Sequence, residues 1–237
     1  MIGVSGMHIE QGGGATNGLL TGLESYYKLD ESSGALVDSH NSYNTTTENA
    51  LIYGSTGIIN DAIEFNGSTS YYYYPSGLRD LLTGNFTISF WGYLDALPGS
   101  DAFFVNDWSG AGRNFYIRVL STGVLQATSG DGGVNQDGNV DSVTTLSTTT
   151  WYHIAVVRDG TNVKMYIDGS YENDATGTYT GGSTSNSLAS GKFSPISAGY
   201  LDGKMDEIGF WSRELDSTDI TNLYNSGSGL AYGDFTS

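Results

Sequence analysis

Trp151-Tyr152-His153-Ile154-Ala155-Val156-Val157-Arg158-Asp159-Gly160-Thr161-Asn162-Val163-Lys164-Met165-Tyr166-Ile167-Asp168-Gly169 is the stretch that decides the fold. Two runs rich in β-branched and aromatic residues flank Asp159-Gly160, and a DG pair in that setting is the strongest short-range signal of a β-hairpin. Asp168-Gly169 turns the chain again. Outward from this hairpin the same pattern recurs. Ser25–Leu29, Ala62–Asn66, Ser70–Tyr74, Phe86–Leu94, Phe103–Asn106, Asn114–Leu120, Val124–Thr128, Ser194–Ala198 and Lys204–Ser212 read as short strands separated by clusters of Gly, Ser, Asn and Asp. In Phe86–Leu94, alternation puts Phe86, Ile88, Phe90 and Leu94 on one face and Thr87, Ser89, Trp91 and Tyr93 on the other. Strands of this length and spacing predict an all-β sandwich. One helix is predicted after Leu215: Asp216 as N-cap, Asp219 at N3, Leu215 stapling onto Ile220, and Gly227 as the stop. The Gly-, Ser- and Thr-rich segment 168–192 is expected to be loop or edge structure.

The 237 residues include 34 Gly and no Cys, with 9 Lys and Arg against 26 Asp and Glu, a formal charge of −17. So few cations cannot build the basic surface that displaces counterions from nucleic acid or holds an anionic membrane. No apolar run approaches the roughly 18 residues of a spanning helix. Without Cys there are no disulfides, thiolate metal sites or Cys nucleophiles. Residues 1–22 centre on Gly12-Gly13-Gly14 and read as an extended attachment arm; residues 23–237 read as one domain.

Five blocks in order resemble the laminin-G-like, concanavalin-A-like jelly-roll superfamily: Tyr26 to Gly34, Ala62 to Ser68, Phe86 to Trp91, Trp151 to Gly169, and Gly203 to Trp211 followed by the capped helix. The resemblance implies a jelly-roll β-sandwich of two antiparallel sheets with one short C-terminal helix. It does not specify a function, because the fold carries glycan binders, protein-interaction domains, hydrolases and viral surface proteins. Related jelly rolls hold a structural Ca²⁺ near an early Asp-rich loop and a late Asp-Glu pair, which implies Asp38 and Asp206 here. The alternative is that Asp38 caps a turn and Asp206 hydrogen-bonds a loop. The segment Asp131 to Asp141 superficially resembles a calcium loop but lacks a terminal Glu, so a solvated hairpin loop is expected.

Catalysis is not expected. Retaining glycoside hydrolysis needs two carboxyls about 5–5.5 Å apart, which on one strand means a two-residue spacing. Asp206 and Glu207 are adjacent and point to opposite faces, and Ile208 and Gly209 follow. His153 sits in an alternating strand and reads as packed on the sheet; there is no Gly-x-Ser-x-Gly elbow.

Binding is argued from aromatics, because sugars dock their C–H faces on rings while Asn, Asp and backbone groups read hydroxyls. Trp108 in the polar stretch Asn106-Asp107-Trp108-Ser109-Gly110 is the candidate platform, with Asn106, Asp107 and Asn114 as hydroxyl readers. The rings of Tyr71 to Tyr74 must alternate between faces; Trp91, Trp151 and Trp211 read as core. The expected protein is a non-catalytic binding or structural protein on a virion surface, a bacteriophage capsid-decorating, fibre or tail component, with the arm engaging other virion proteins and the domain engaging glycans. A carbohydrate-binding or adhesion module of a cell surface is the alternative, and a glycoside hydrolase is the third reading.

Overall fold

The computed structural model describes residues 17–81, 84–109, 112–129, 139–177, 188–194 and 196–237. The described residues form strands β1 (Leu23–Tyr27), β2 (Thr47–Asn49), β3 (Ile52–Thr56), β4 (Asp61–Asn66), β5 (Tyr71–Tyr73), β6 (Phe86–Leu94), β7 (Asp101–Ser109), β8 (Gly112–Leu120), β9 (Val124–Ser129), β10 (Val140–Thr145), β11 (Trp151–Asp159), β12 (Asn162–Ile167), β13 (Ser170–Thr176), β14 (Leu188–Ser190) and β15 (Asp202–Trp211), and helices α1 (Ser76–Leu81) and α2 (Ser217–Tyr224). They build two antiparallel sheets. One runs β13-β12-β11-β6-β15-β4-β3, with β1 also paired to β15; the other runs β10-β9-β8-β7-β14-β5-β2. This is the jelly-roll sandwich that the sequence predicts.

The Asp159-Gly160 turn closes the β11–β12 hairpin, with register from Ile154 opposite Ile167 to Asp159 opposite Asn162. Gly160 supplies the positive φ, +59°, that such a turn needs. Phe86, Ile88, Phe90 and Leu94 join Phe104, Ile117, Val156 and Phe210 in the core between the sheets. A second apolar cluster lies on the other side of the eight-stranded sheet, where Leu215, Ile220 and Leu223 cover Tyr26, Val157 and Trp211. α2 starts as expected: the Asp216 carboxylate accepts the N–H groups of Thr218 and Asp219, and Asp219 answers on the Asp216 N–H. It stops earlier than expected. Asn225, at φ 46° and ψ 50°, takes the left-handed cap position that the sequence assigns to Gly227.

Other differences follow from chemistry that periodicity does not register. Of the segment Ser194–Ala198, read as a strand, the described residues contribute only a bridge between Phe193 and Ala198. β14, three residues paired on both sides by β7 and β5, lies inside the segment expected to be loop or edge structure. β13, in the same segment, is an edge strand, as expected. Trp91 and Trp211 are buried, whereas Trp151, expected in the core, is half-buried and packs on Tyr93 at 5.3 Å. Residues 17–22, assigned to the arm, lie on the sandwich: Leu19 is fully buried, its carbonyl accepts the Trp211 indole N–H at 2.8 Å, and Asn17 bonds Thr236. The two ends of the described chain are therefore adjacent.

Candidate functional site

Strand alternation gives the seven-stranded sheet an apolar inner face and a mixed outer one. Tyr72, Tyr74, Phe115, Ile117, Leu125 and Ala127 point into the core, so Tyr71, Tyr73, Tyr116, Arg118 and Gln126 point outward. The tyrosine run thus alternates as its spacing requires.

A groove opens at one end of this outer face. It consists of two adjoining depressions of about 240 and 420 Å³ that share Ser100, Asp101 and Gly199. The smaller one is walled by rings: Phe103 lies 4.8 Å from Phe193 and 5.8 Å from Tyr116 between centroids. Gly199 permits this approach. It has φ +60°, and a Cβ there would stand 2.7 Å from the Phe103 ring. The larger depression is polar, with Asp101, Tyr200 and Asp202 around it. Burial, followed by the nearby Asp95 and Glu64 charges, holds the Asp202 carboxyl above its ordinary range.

Arg118 joins the aromatic and polar parts. Its guanidinium lies 4.7 Å from the Tyr116 ring centre. Nη1 donates to Asp101 at 2.5 Å, and Nε and Nη2 donate to the Gln126 carbonyl oxygen at 3.0 and 2.6 Å. Gln126 in turn donates to Asp141 at 2.7 Å. The cation is fixed before any ligand arrives, which lowers the ordering cost of binding. Aromatic walls with a few fixed polar groups are the chemistry that receives a sugar ring.

The residues that the sequence nominated fare differently. Asn106 is fully buried; its amide donates to the Lys192 carbonyl and accepts the Ser194 N–H at 3.1 Å. It holds the 192–194 segment on β7 and reads no hydroxyl. Asp107 is also buried, in an ion pair with Arg79 at 2.8 Å. Both are polar groups that must be satisfied internally once covered. The backbones of Trp108 and Asn114 belong to β7 and β8, and their side chains lie outside the described residues; residues 131–138 of the acidic segment do as well. Sequence reasoning missed Phe103, Tyr116, Arg118 and Phe193. Alternation within β8 was the available signal for Tyr116 and Arg118, whereas Phe193 follows from a turn that carries no period.

Asp38 and Asp206 are loop clips. Asp38 accepts N–H groups from Tyr26 and His40 on Oδ1, at 3.0 and 2.9 Å, and from Tyr43 on Oδ2, at 3.0 Å. Asp206 Oδ2 accepts Ile58 and Ile59 at 2.7 and 3.0 Å. N–H dipoles present positive ends to both Asp38 oxygens and to Asp206 Oδ2, while Asp206 Oδ1 is buried without a hydrogen-bond partner. Among the described residues, no group of three or more His, Asp or Glu is placed to share a metal.

Glu207 sits at a bulge with φ 49° and departs from Asp206 toward Tyr26. Burial pushes Asp206 up to about 7 and Glu207 up to about 8. Glu207, Ser89, His153 and Trp91 line a cavity of about 10 Å³, room for roughly one water. His153 Nε2 meets Ser89 Oγ at 2.8 Å, and burial lowers the ring to about 3. This cluster is too enclosed to admit a sugar.

The chain belongs to the concanavalin A-like lectin/glucanases superfamily, whose family profile matches residues 66–221. Solved structures share the fold. The binding domain of Paraclostridial mosquitocidal protein 1 aligns with TM-score 0.69 at 18% identity, over 88% of this chain and 53% of that one. Trypanosoma rangeli sialidase aligns with TM-score 0.67 at 14% identity, over 89% of this chain and 34% of the sialidase, so this chain spans about a third of that enzyme's length. Domain 4 of AbnA, a GH43 extracellular arabinanase from Geobacillus stearothermophilus solved with arabinotriose, aligns with TM-score 0.64 at 22% identity, over 85% and 98% of the two chains. No curated protein sequence matches the chain.

Proposed function

We propose that this chain is a non-catalytic glycan-binding module whose site is the groove on the outer face of the seven-stranded sheet. The observation that carries this is the ring-walled depression of Phe103, Tyr116 and Phe193 with Arg118 and Asp101 fixed at its edge. Likeness to a domain solved with arabinotriose supports a sugar as occupant. Stacking plus a few solvent-competed hydrogen bonds gives single-site affinity on the order of millimolar to micromolar, with avidity when many copies are displayed. The carboxylates support binding over hydrolysis. Asp206 is clipped to the loop at Ile58 and Ile59, and Glu207 is turned into a cavity the size of one water. The test is a glycan array probed with a multivalent form, with product analysis of the sugars retained. Retention without release of reducing ends supports the reading; accumulating reducing sugar overturns its non-catalytic part.

Display on a bacteriophage virion, as a capsid-decorating, fibre or tail component, is the setting we propose for such avidity. Its support is the Gly-rich composition of residues 1–16, together with the pairing of Asn17 and Thr236 beside the C-terminal segment. Deleting residues 1–16 then abolishes incorporation into the parent particle while leaving glycan retention intact. Normal incorporation of the truncated protein contradicts this.

A further inference from the structure

Across β14 from the groove, the same outer face carries a second feature. Lys192 precedes Phe193, and the Asn106 amide that fixes the 192–194 segment holds both residues in place. The Lys192 ammonium lies 3.6 Å from the centre of the Tyr71 ring and 5.0 Å from that of Tyr73. The two rings stand edge to face at 5.3 Å. Only 5% of Lys192 is exposed, yet its ammonium is not among the sealed, unsatisfied polar atoms.

What the ammonium lacks is an anion. Arg79, Arg118, Lys164, Lys204 and Arg213 each form an ion pair with a carboxylate of this chain, as expected when acids outnumber bases by 17. Lys192 has no such partner among the described residues. Ring faces stabilise a desolvated cation without neutralising it, so its charge remains available on the sheet surface. A chain of charge −17 repels acidic ligands at long range, and a cation held on the sugar-binding face is the local means of admitting one.

We infer that Lys192, seated on Tyr71 and Tyr73, is a subsite for the carboxylate of an acidic sugar whose neighbouring ring occupies the Phe103–Phe193 groove. The inference rests on the glycan reading of that groove and specifies its ligand class. The carboxylate forms a charge-assisted hydrogen bond with the ammonium, while an uncharged substituent at that position leaves the cation unpaired.

The experiment compares probes that differ only in the acid: trigalacturonate against its methyl ester, and sialyllactose against lactose, each titrated calorimetrically into wild type, Lys192→Gln and Lys192→Arg. Expected is a preference of wild type for an acidic probe of at least fivefold, lost in Lys192→Gln and retained in Lys192→Arg, with affinity for the uncharged probe unchanged within twofold. NMR titration of the wild type serves as a second readout, independent of variant folding: the acidic probe shifts the Lys192 side-chain resonances and its uncharged partner does not. Equal affinity for acid and neutral probes, or a preference that survives in Lys192→Gln, overturns the subsite and leaves the groove reading standing. No binding of any probe at millimolar concentration overturns the subsite, and the glycan array then decides the groove separately.

Discussion

Replacing His153 with Gln removes the sole titrating imidazole of the sheet–helix cavity while keeping a polar group beside Ser89. Burial alone lowers His153 from 6.5 to about 3. Between those values the unfolded chain binds a proton that the folded one refuses. The neutral ring's contribution is therefore complete above pH 6.5 and is lost as pH falls toward 3. At pH 4.5, two units below the unfolded value, the loss is about 3 kcal/mol at roughly 1.4 kcal/mol per unit. Asp206 and Glu207 act in the opposite sense. Their raised values mean that the folded state keeps their protons, so their stabilisation is present in acid and fades as pH rises toward 7 and 8. Those contributions are common to both proteins and cancel in the difference. Urea unfolding followed by tryptophan fluorescence at pH 7.5 and 4.5 measures it. Wild type should lose about 3 kcal/mol more than His153→Gln across that interval. Parallel losses would refute the burial argument, and a larger loss in the variant would reverse its sign.

Two further predictions concern residues that the sequence offered as ligand readers. Asp107→Ala removes the carboxylate that the buried Arg79 Nε meets at 2.8 Å; unfolding measurements should find a loss of about 3–5 kcal/mol, and a change below about 1 kcal/mol would mean that the pair is not structural. Because backbone N–H groups occupy both Asp38 oxygens and Asp206 Oδ2, chelator treatment should leave the melting temperature unchanged. A drop of several degrees, restored by calcium, would show an ion at that end of the sandwich.

The fold was legible because its signals are local and repeated. The Asp159-Gly160 hairpin, the alternation of Phe86 to Leu94 and the Asp216 capping box each specify geometry within a few residues, and the described structure reproduces all three. β2 and β3 are short and largely exposed, so their sequences, TEN and IYGST, carry no buried face to betray them. The site was harder to read for a different reason. Asn106 and Asp107 look like loop polar groups, and only long-range pairing of β7 with β14 and the 192–194 segment buries them. Phe193 and Gly199 meet Phe103 across about ninety residues of sequence, a contact that no window of local pattern contains.

Sugar entry into the groove between Phe103 and Phe193 can be tested at the groove wall itself. Multivalent wild type and Phe193→Ala, matched by circular dichroism and melting temperature, should be compared on one glycan array. Phe193 is half-buried at the groove wall, so its removal takes away a stacking surface while leaving the inter-sheet core intact. Wild type should be retained on a defined set of glycans, and Phe193→Ala should lose at least tenfold in retention on that set. Equal retention of the two proteins would place the site elsewhere and contradict the account.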